Sequence, residues 1–456
     1  MMNFPASPFS AFARRLHLSA LVPLVLAAST DVAHATPRIE QWTAPTGAKV
    51  LFVASHELPM LDIQIDFAGG HAFDPPGKSG VASFTRGLLD AGAGDLDEQA
   101  ISDRAADLGM VLSGGVDEDR TSLTVRTLSA AQERDGAVAL AATVLAQPKF
   151  PAEMLERERI RALANLREAL TRPAVLASRA FNAAIYPGHP YGIVGSAESL
   201  AAIQREDLAA FHARYYNARN ASIAIVGDVD RATAEKIAIA LTQNLPDGNP
   251  AEALPAPVPP QAGQIRISNP SAQAHILVGL QGMRRDDPDY FALLVGNHIL
   301  GGGGFTSRLM KEVRDKNGLA YDVHSYFEPR RLAGPFQIGL QTRGNQSTRA
   351  LDAVNATLAE FIAKGPTEKE LKAARDNIVN GFGLRLDSNG KILSYVSLIG
   401  FFGLPLDWLE RYPKSVNAVT LNDVRDAFAR RVQPGQLITV IAGGDGSSEE
   451  GSPAKP

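Results

Sequence analysis

The chain has 456 residues, of which 45% are hydrophobic and 21% are charged. This composition is that of a globular protein, and the length suffices for two or more domains with their own cores. A net charge of -4 provides no basic field that would indicate a nucleic-acid partner. The absence of cysteine excludes disulfides, a thiol nucleophile and a lipid anchor on an N-terminal cysteine.

Residues 1–35 have the pattern of a cleaved signal peptide. Arg14 and Arg15 form a positive region, residues 18–28 form a short apolar run, and Ala33-His34-Ala35 is a small-x-small cleavage site. The apolar run is roughly half of the ~20 residues that a membrane-spanning helix needs, which makes a membrane anchor the weaker alternative. We therefore expect a periplasmic or secreted protein, cleaved after residue 35, that keeps no membrane anchor. The general and the twin-arginine export routes both stay open.

The first predicted domain, residues 36–244, mixes strand and helix patterns. Residues 49–55 and 61–69 alternate apolar with polar residues, which predicts a strand pair with a turn at Leu58-Pro59. Further strands are predicted over 122–129 and 222–226, and helices over 80–92, 97–109, 132–147, 152–172, 173–186 and 205–216. Because helices and strands do not alternate strictly, the pattern favours the α+β class with largely antiparallel sheets.

A proline-rich linker, residues 245–263, divides the chain, and the predicted second domain at 264–443 repeats the first. At an offset of 216 residues the identical pairs include Ser199/Ser415, Asp207/Asp423 and Gly227/Gly443, and Asp74/Asp287 match at an offset of 213. A near-constant offset over a whole half indicates an internal duplication. The last segment, 444–456, is rich in Gly, Ser, Glu and Pro and is predicted to be a disordered tail.

Residues 300–325 carry the most informative pattern. Four consecutive glycines precede a predicted short amphipathic helix: Gly301, Gly302, Gly303 and Gly304. Gly318 then acts as a stop before a strand-like run, with Arg314 and Tyr321 on either side of it. This segment closely resembles the arginine–tyrosine signature of the pitrilysin/insulinase family of zinc peptidases. The family's order of elements, twice over, extends the resemblance to nearly all of the chain after residue 35.

The resemblance implies a fold and a site. Each half would be a largely antiparallel sheet packed with helices, and the two together would form half of a clamshell, similar also to the subunits of mitochondrial processing peptidase. Tyr321 would donate its phenol proton to the oxyanion at the scissile carbonyl, and Arg314 would hold a substrate carbonyl or position Tyr321. The alternative is that neither residue has a function, Arg314 being a solvated helix arginine and Tyr321 a half-buried strand tyrosine. The four glycines would either allow a peptide to approach closely or form only a tight turn, while Ser307 is a candidate helix cap.

The zinc motif of the family is missing. Its His-x-x-Glu-His places two histidine ligands on one helical face with a glutamate that activates water. Ser83 stands at the first histidine, Arg86 at the glutamate and Gly87 at the second histidine, and the third ligand would fall near 164–165, where no carboxylate occurs. A guanidinium is neither a base nor a ligand at neutral pH. We therefore expect this chain to bind no metal and to be inactive alone, with zinc on a partner.

These observations predict a noncatalytic subunit of a heteromeric periplasmic zinc peptidase. A homologous partner would carry His-x-x-Glu-His and zinc, and unfolded peptides would bind partly by adding a strand to a sheet edge. The alternative from another class is a self-associated, noncatalytic peptide-binding or scaffold protein of the same fold. A weaker third hypothesis is an active enzyme with a displaced metal site. Substrate preference, homo- or hetero-oligomerisation, opening and closing, and whether the partner is a separate gene product stay open.

Overall fold

The first half of the chain forms a six-stranded sheet with helices on both faces. A computed structural model describes residues 37–445, so the predicted signal peptide and all but two residues of the predicted tail lie outside the described residues. The elements up to residue 242 are β1 (Glu40–Thr43), β2 (Lys49–Ala54), β3 (Met60–Phe67), α1 (Val81–Gly87), β4 (Gly92–Ala93), β5 (Leu96–Asp97), α2 (Glu98–Asp107), β6 (Val111–Val116), β7 (Thr121–Leu128), α3 (Ala131–Ala146), α4 (Ala152–Ala169), α5 (Pro173–Ile185), α6 (Ala197–Ala202), α7 (Arg205–Tyr215), β8 (Ala221–Gly227) and α8 (Arg231–Thr242).

The second half forms a five-stranded sheet. Residues 243–262, between the halves, adopt neither helix nor strand. The elements that follow are β9 (Gly263–Ile267), β10 (Gln273–Gln281), α9 (Tyr290–Asn297), two π-helices (His298–Gly302 and Met310–Lys316), β11 (Val323–Phe327), β12 (Pro335–Arg343), α10 (Ser347–Lys364), α11 (Glu368–Asn380), α12 (Asn389–Phe402), α13 (Trp408–Ala418), α14 (Leu421–Arg431) and β13 (Ile438–Gly443).

The two sheets have the same topology. The strand order is β1-β2-β8-β3-β7-β6 in the first and β9-β13-β10-β12-β11, read from the other edge, in the second. In each sheet only the pair β2–β8 or β9–β13 is parallel, and the remaining neighbours are antiparallel. Apart from the extra edge strand β1, each strand therefore has a counterpart. The α+β class, the largely antiparallel sheets and the duplication are confirmed.

Each half contributes one helix to the other half's sheet. Helix α5 packs on β10 and β13 of the second sheet, and α12 packs on β2, β3 and β8 of the first. Phe181 of α5 is buried with Val440 of β13, and Val396 of α12 is buried in one cluster with Leu51 of β2. Burying one such side chain contributes roughly 1.5–3 kcal/mol. The exchanged helices thus join the halves into one compact unit.

This exchange explains why strand β3 is buried on both faces although its sequence alternates. Leu61 and Ile65 face the core of the first half. Asp62 and Asp66 lie on the opposite face, against which α12 packs, and are 2% and 0% exposed. Buried carboxylates need partners. Arg126 of β7 donates to Asp62, and Ser397 of α12 donates to Asp66.

Three expectations about local structure need correction. The strands β2 and β3 are present but are not neighbours, because β8 lies between them and pairs with both. Helix α1 ends at Gly87 instead of continuing to residue 92. Strand β6, which contains two glycines, was not predicted. Helix α8 was also missed, although Ala234, Ile237, Ala238 and Leu241 recur at helical spacing. Among residues 37–445, no helix combines the length and apolarity that crossing a bilayer requires.

Candidate functional site

Helix α1 carries Ser83, Arg86 and Gly87, the positions at which the sequence resemblance would place the family's zinc motif. Two oxygens of Asp74 fix the start of this helix by accepting hydrogen bonds from the backbone N–H groups of Gly80 and Ala82, at 2.8 and 2.7 Å. Ser83 and Gly87, four residues apart, are both exposed, whereas Arg86 is buried. The helix therefore presents the two former histidine positions to the outside and turns the former glutamate position inward.

Arg86 is a structural link between α1 and the edge of the first sheet. Its Nε donates to the carbonyl oxygen of Ser122 at 2.9 Å and its Nη2 to that of Ser113 at 2.6 Å. Gly114 makes room for the guanidinium, since a Cβ at this position would lie 2.9 Å from Arg86 Nε and Nη2. Hydrogen bonds from a charged donor stabilise by roughly 1.5–3 kcal/mol. The side chain that replaced the glutamate thus fastens the helix to β6 and β7.

These residues do not fit a zinc ion. Zinc sites of this kind use imidazole and carboxylate ligands, and a serine hydroxyl, a guanidinium and a glycine supply none. Ala164 and Asn165, at the third-ligand position, are exposed on α4. The nearby Glu158 is paired with Arg161 at 3.1 Å. Nowhere between residues 37 and 445 do three His, Cys, Asp or Glu side chains assemble in a way that could hold a metal ion.

In the second half the four glycines run from the end of the first π-helix (His298–Gly302) into a turn, and the fold itself explains two of them. A Cβ on Gly301 would lie 2.4 Å from Ser325 Oγ, and Gly304 has a left-handed φ of 59°. Asn297 holds the turn against β11 by donating to the Ser325 carbonyl at 3.0 Å and accepting from its hydroxyl at 2.7 Å. Close packing therefore explains the glycine at position 301, and the left-handed backbone explains the glycine at position 304. A role of the four glycines in substrate binding stays a prediction.

The helix that bears Arg314, predicted only as a short amphipathic helix, is a π-helix. This rare form occurs mostly at functional sites. The Ser307 hydroxyl accepts from the backbone N–H of Met310, as expected of a cap, and Gly318 ends the helix with a left-handed φ of 61°. Tyr321 follows three residues later, just before β11 begins at Val323. The helix cap at Ser307 and the helix stop at Gly318 were thus predicted correctly. The π-helical form was not predicted, because it has no sequence signature.

An ion pair anchors this segment to α11. Arg308 donates from Nε and Nη2 to the two carboxylate oxygens of Glu370, at 2.8 and 2.7 Å, and Nη2 also reaches the Gly365 carbonyl at 3.0 Å. The Arg308 guanidinium, with smaller contributions from Thr367, lowers the pKa of Glu370 to about 2. Arg308 therefore has a structural role in the segment.

Arg314 and Tyr321 lie together, and a third residue joins them. The Arg314 guanidinium carbon is 5.3 Å from the centre of the Tyr321 ring and 4.7 Å from that of Phe305. Tyr321 is 84% exposed and Phe305 is 70% exposed. A cation between two rings gains roughly 0.5–1 kcal/mol per contact at an exposed site. Stacking thus holds the guanidinium at the surface while its N–H edge stays available.

Neither polar group of this pair is used within the fold. Among the described residues, no carboxylate pairs with Arg314 and no group hydrogen-bonds the Tyr321 hydroxyl. The pair can therefore donate to an acceptor that comes from outside. Sequence reasoning identified both residues but missed Phe305, although an isolated aromatic residue directly after four glycines was a usable signal.

Comparison with known proteins supports the family directly. The model described as insulinase (peptidase family M16) matches residues 49–194, and that of the peptidase M16 inactive domain matches residues 202–378. A peptidase M16 inactive domain from Pseudomonas fluorescens is 38% identical, with a TM-score of 0.86 over 89% of this chain and 97% of that chain.

More distant relatives agree. The non-peptidase homolog YmxG of Helicobacter pylori is 24% identical over 396 residues, which are 86% of this chain and 91% of the relative. The periplasmic protease PqqL from Escherichia coli shares the fold, with 16% identity and a TM-score of 0.75 over 89% of this chain and 45% of that chain. The chain therefore belongs to the insulinase family, peptidase family M16.

Proposed function

We propose that this protein is the substrate-binding, noncatalytic subunit of a heteromeric zinc peptidase. The observation that carries the proposal is the contact between the half-buried Arg314 and the exposed Tyr321, whose side-chain donors have no partner in the described fold. The same chain has Ser83, Arg86 and Gly87 where a catalytic member has its zinc motif. One half of an active site is thus intact on a chain that lacks the other half.

The pair has a defined chemical task in this proposal. Tyr321 donates a hydrogen bond to the oxygen of the scissile carbonyl as negative charge develops there. Arg314 binds a neighbouring carbonyl of the peptide through its free N–H edge and keeps the Tyr321 ring in place through the stacked contact. Preorganised donors of this kind each contribute on the order of 10²–10³ in rate.

The partner supplies what this chain lacks. A homologous subunit with His-x-x-Glu-His would bind zinc, which polarises the carbonyl and activates a water molecule. The peptide would be held in part by pairing with an exposed strand edge, and β11, next to Tyr321, is one of the two edge strands of the second sheet. Cleavage of residues 1–35 would place the complex in the periplasm or outside the cell.

A self-associated peptide-binding or scaffold protein is the second candidate, and it is favoured by the relative described as a non-peptidase homolog. The two candidates differ in what they assemble with. The heteromeric peptidase requires a zinc-bearing homologue in the purified complex. The scaffold requires a stable self-associated species that binds peptide without one.

Co-expression with a homologue that carries His-x-x-Glu-His, encoded nearby, tests the proposal. We expect the two chains to co-purify with zinc in a ratio of one ion per pair and to hydrolyse unfolded peptides, with turnover about 100-fold lower in Arg314→Ala. Zinc content should not change in that variant. Unchanged turnover in Arg314→Ala, or a chain that forms only homodimers beside the homologue, would reject the proposal.

A further inference from the structure

The faces of the two sheets that lie beneath the exchanged helices carry equivalent positions. The offset of 213 residues that relates Asp74 to Asp287 places His275 of β10 where Asp62 lies in β3. The same offset relates Leu277 to Gln64 and Gly279 to Asp66. Opposite these residues, β12 presents Gln341, Gly339 and Gln337 where β7 presents Arg126, Thr124 and Ser122. Three cross-strand rows can therefore be compared directly.

In the first half these rows are filled by charged and hydrogen-bonded side chains. Arg126 donates from Nε and Nη2 to the two oxygens of Asp62, at 2.6 and 3.2 Å. Asp66 accepts from the Ser122 hydroxyl at 2.6 Å and from the hydroxyl of Ser397 on α12. The first sheet and α12 are thus joined by internal polar contacts.

In the second half the same rows lack these contacts. His275 faces Gln341 instead of an arginine, and Gly279 leaves space for the Phe181 ring of α5, which would lie 2.8 Å from a Cβ there. Gly339 contributes no side chain to the middle row. A cleft of about 410 Å³ remains between α5 and the strands β10, β11 and β12, and Tyr321 is among the residues that line it. We call this space the His275 cleft.

The residues that line the His275 cleft favour a ligand side chain with a long apolar stem and a cationic end. Leu277 and two alanines of α5 offer apolar surface, and Gln341 offers a carbonyl acceptor. Burial lowers the pKa of His275, which keeps its imidazole neutral at pH 7 and free of repulsion toward a cation. Asp322 supplies the only carboxylate among the described residues that line the cleft, and it accepts a hydrogen bond from Nδ1 of His324, which also lines it, at 2.9 Å. No lysine or arginine lies among the lining residues. A long apolar stem with a cationic end matches this lining.

We propose that the His275 cleft binds one lysine or arginine side chain of the peptide held at Arg314 and Tyr321. The ligand side chain would occupy the space that Arg126 fills in the first half. The cleft is continuous with the reaction site because Tyr321 lines it. This inference rests on the proposed function for the class of ligand, an unfolded peptide, and adds a preference for basic residues.

The test uses the full purified chain without any partner. Four fluorescein-labelled ten-residue peptides, identical except for a central Lys, Arg, norleucine or Glu, are titrated by fluorescence anisotropy. We expect the Lys and Arg peptides to bind about 10-fold more tightly than the norleucine peptide, since a hydrogen bond to a charged group contributes roughly 1.5–3 kcal/mol. The Glu peptide should bind most weakly.

Two variants close the cleft in different ways. The first is a double variant, His275→Asp with Gln341→Arg, which copies the ion pair of the first half into the equivalent row. The second is Gly339→Val, which fills the middle of the cleft, where a Cβ already comes within 3.1 Å of His324 Nε2. Both should abolish the preference for Lys and Arg. Gly263→Val on β9 is the matched control, because a Cβ there meets nothing closer than 3.9 Å. It should keep the preference.

The outcomes separate this inference from the proposed function. Equal affinity for the four peptides, a preference that survives both cleft variants, or no peptide binding at all would overturn the His275 cleft as a basic subsite. Turnover of the heteromeric complex and its loss in Arg314→Ala report on the proposed function instead. Either idea can therefore fail while the other stands.

Discussion

The two halves of this chain share one topology but differ in what their surfaces leave free. In the first half Arg86 donates to two backbone carbonyls, and the face under α12 is filled by the Asp62–Arg126 ion pair. In the second half the half-buried Arg314 and the exposed Tyr321 have no hydrogen-bond partners in the described fold, and the face under α5 holds an open cleft. In the first half these groups stabilise the fold, whereas in the second half they are free to contact a ligand.

What the halves retained in common is what the fold needs. Asp74 fixes the start of α1, and its counterpart Asp287 accepts from the backbone N–H of Asp289 and from Arg431 at 2.8 Å. Both aspartates organise a turn before a helix. Other positions have diverged: residue 62 is an aspartate in a buried ion pair with Arg126, whereas its counterpart 275 is a histidine opposite Gln341. Duplication thus preserves the scaffold and releases the rest for new chemistry.

The largest effect should follow from breaking the support in the first half. Arg86→Met would leave two carbonyl oxygens, those of Ser113 and Ser122, without their donor, and we expect a loss of about 3 kcal/mol in the free energy of unfolding. Urea denaturation measures this loss. Arg104→Met on the exposed face of α2 is the control and should change stability by less than about 0.5 kcal/mol. Equal stability of the two variants would show that Arg86 is not a structural link.

A smaller, pH-dependent effect should appear at the anchor of the second half. Because Arg308 holds the folded-state pKa of Glu370 at about 2, below its ordinary value of 4.5, this carboxylate stabilises the fold above pH 4.5 and loses that contribution as pH falls toward 2. We expect Glu370→Gln to cost about 2 kcal/mol at pH 7 and almost nothing near pH 2.

The free energy of unfolding of the wild type and of Glu370→Gln, measured at pH 7, 5 and 3, should differ less as the pH falls. The control is Glu312→Gln, which removes an exposed pair with Lys316 and should cost less than about 1 kcal/mol at any pH. A penalty for Glu370→Gln that does not shrink at low pH would contradict the assigned ion pair.

The smallest effect concerns the glycine turn. Gly304→Ala places a Cβ on a left-handed residue, so we expect a loss of about 1 kcal/mol. Gly87→Ala, where a Cβ meets nothing within 4 Å in helix α1, should be neutral or slightly stabilising. If Gly304→Ala instead left stability unchanged but weakened peptide binding, the glycines would serve the ligand and not the turn.

Much of this structure could be read from local sequence patterns. The helix stop at Gly318, the cap at Ser307 and the near-constant offset between the halves each follow from short-range rules, and each is found in the structure. Strand pairing could not be read in this way, since β8 enters between β2 and β3 from a distance of more than 150 residues.

The site was predicted in part for the same reason. The types and spacing of Arg314 and Tyr321 are local features, whereas the direction of Arg86 depends on carbonyls of two strands that lie far away in sequence. The stacking of Phe305 on Arg314 depends on how the glycine turn folds back. The His275 cleft exists only because α5 crosses from the other half. Long-range packing, which no local pattern encodes, placed these features.

The most direct test of the split-site account is the turnover number of the purified heteromeric complex with Tyr321→Phe in this subunit. The account predicts a kcat lower by about 10²–10³, with unchanged zinc content and unchanged assembly. Tyr215→Phe, which removes a phenol from the first half, should keep full activity. A Tyr321→Phe complex that cleaves peptides at the rate of the unmodified one would contradict the claim that this chain supplies half of the active site.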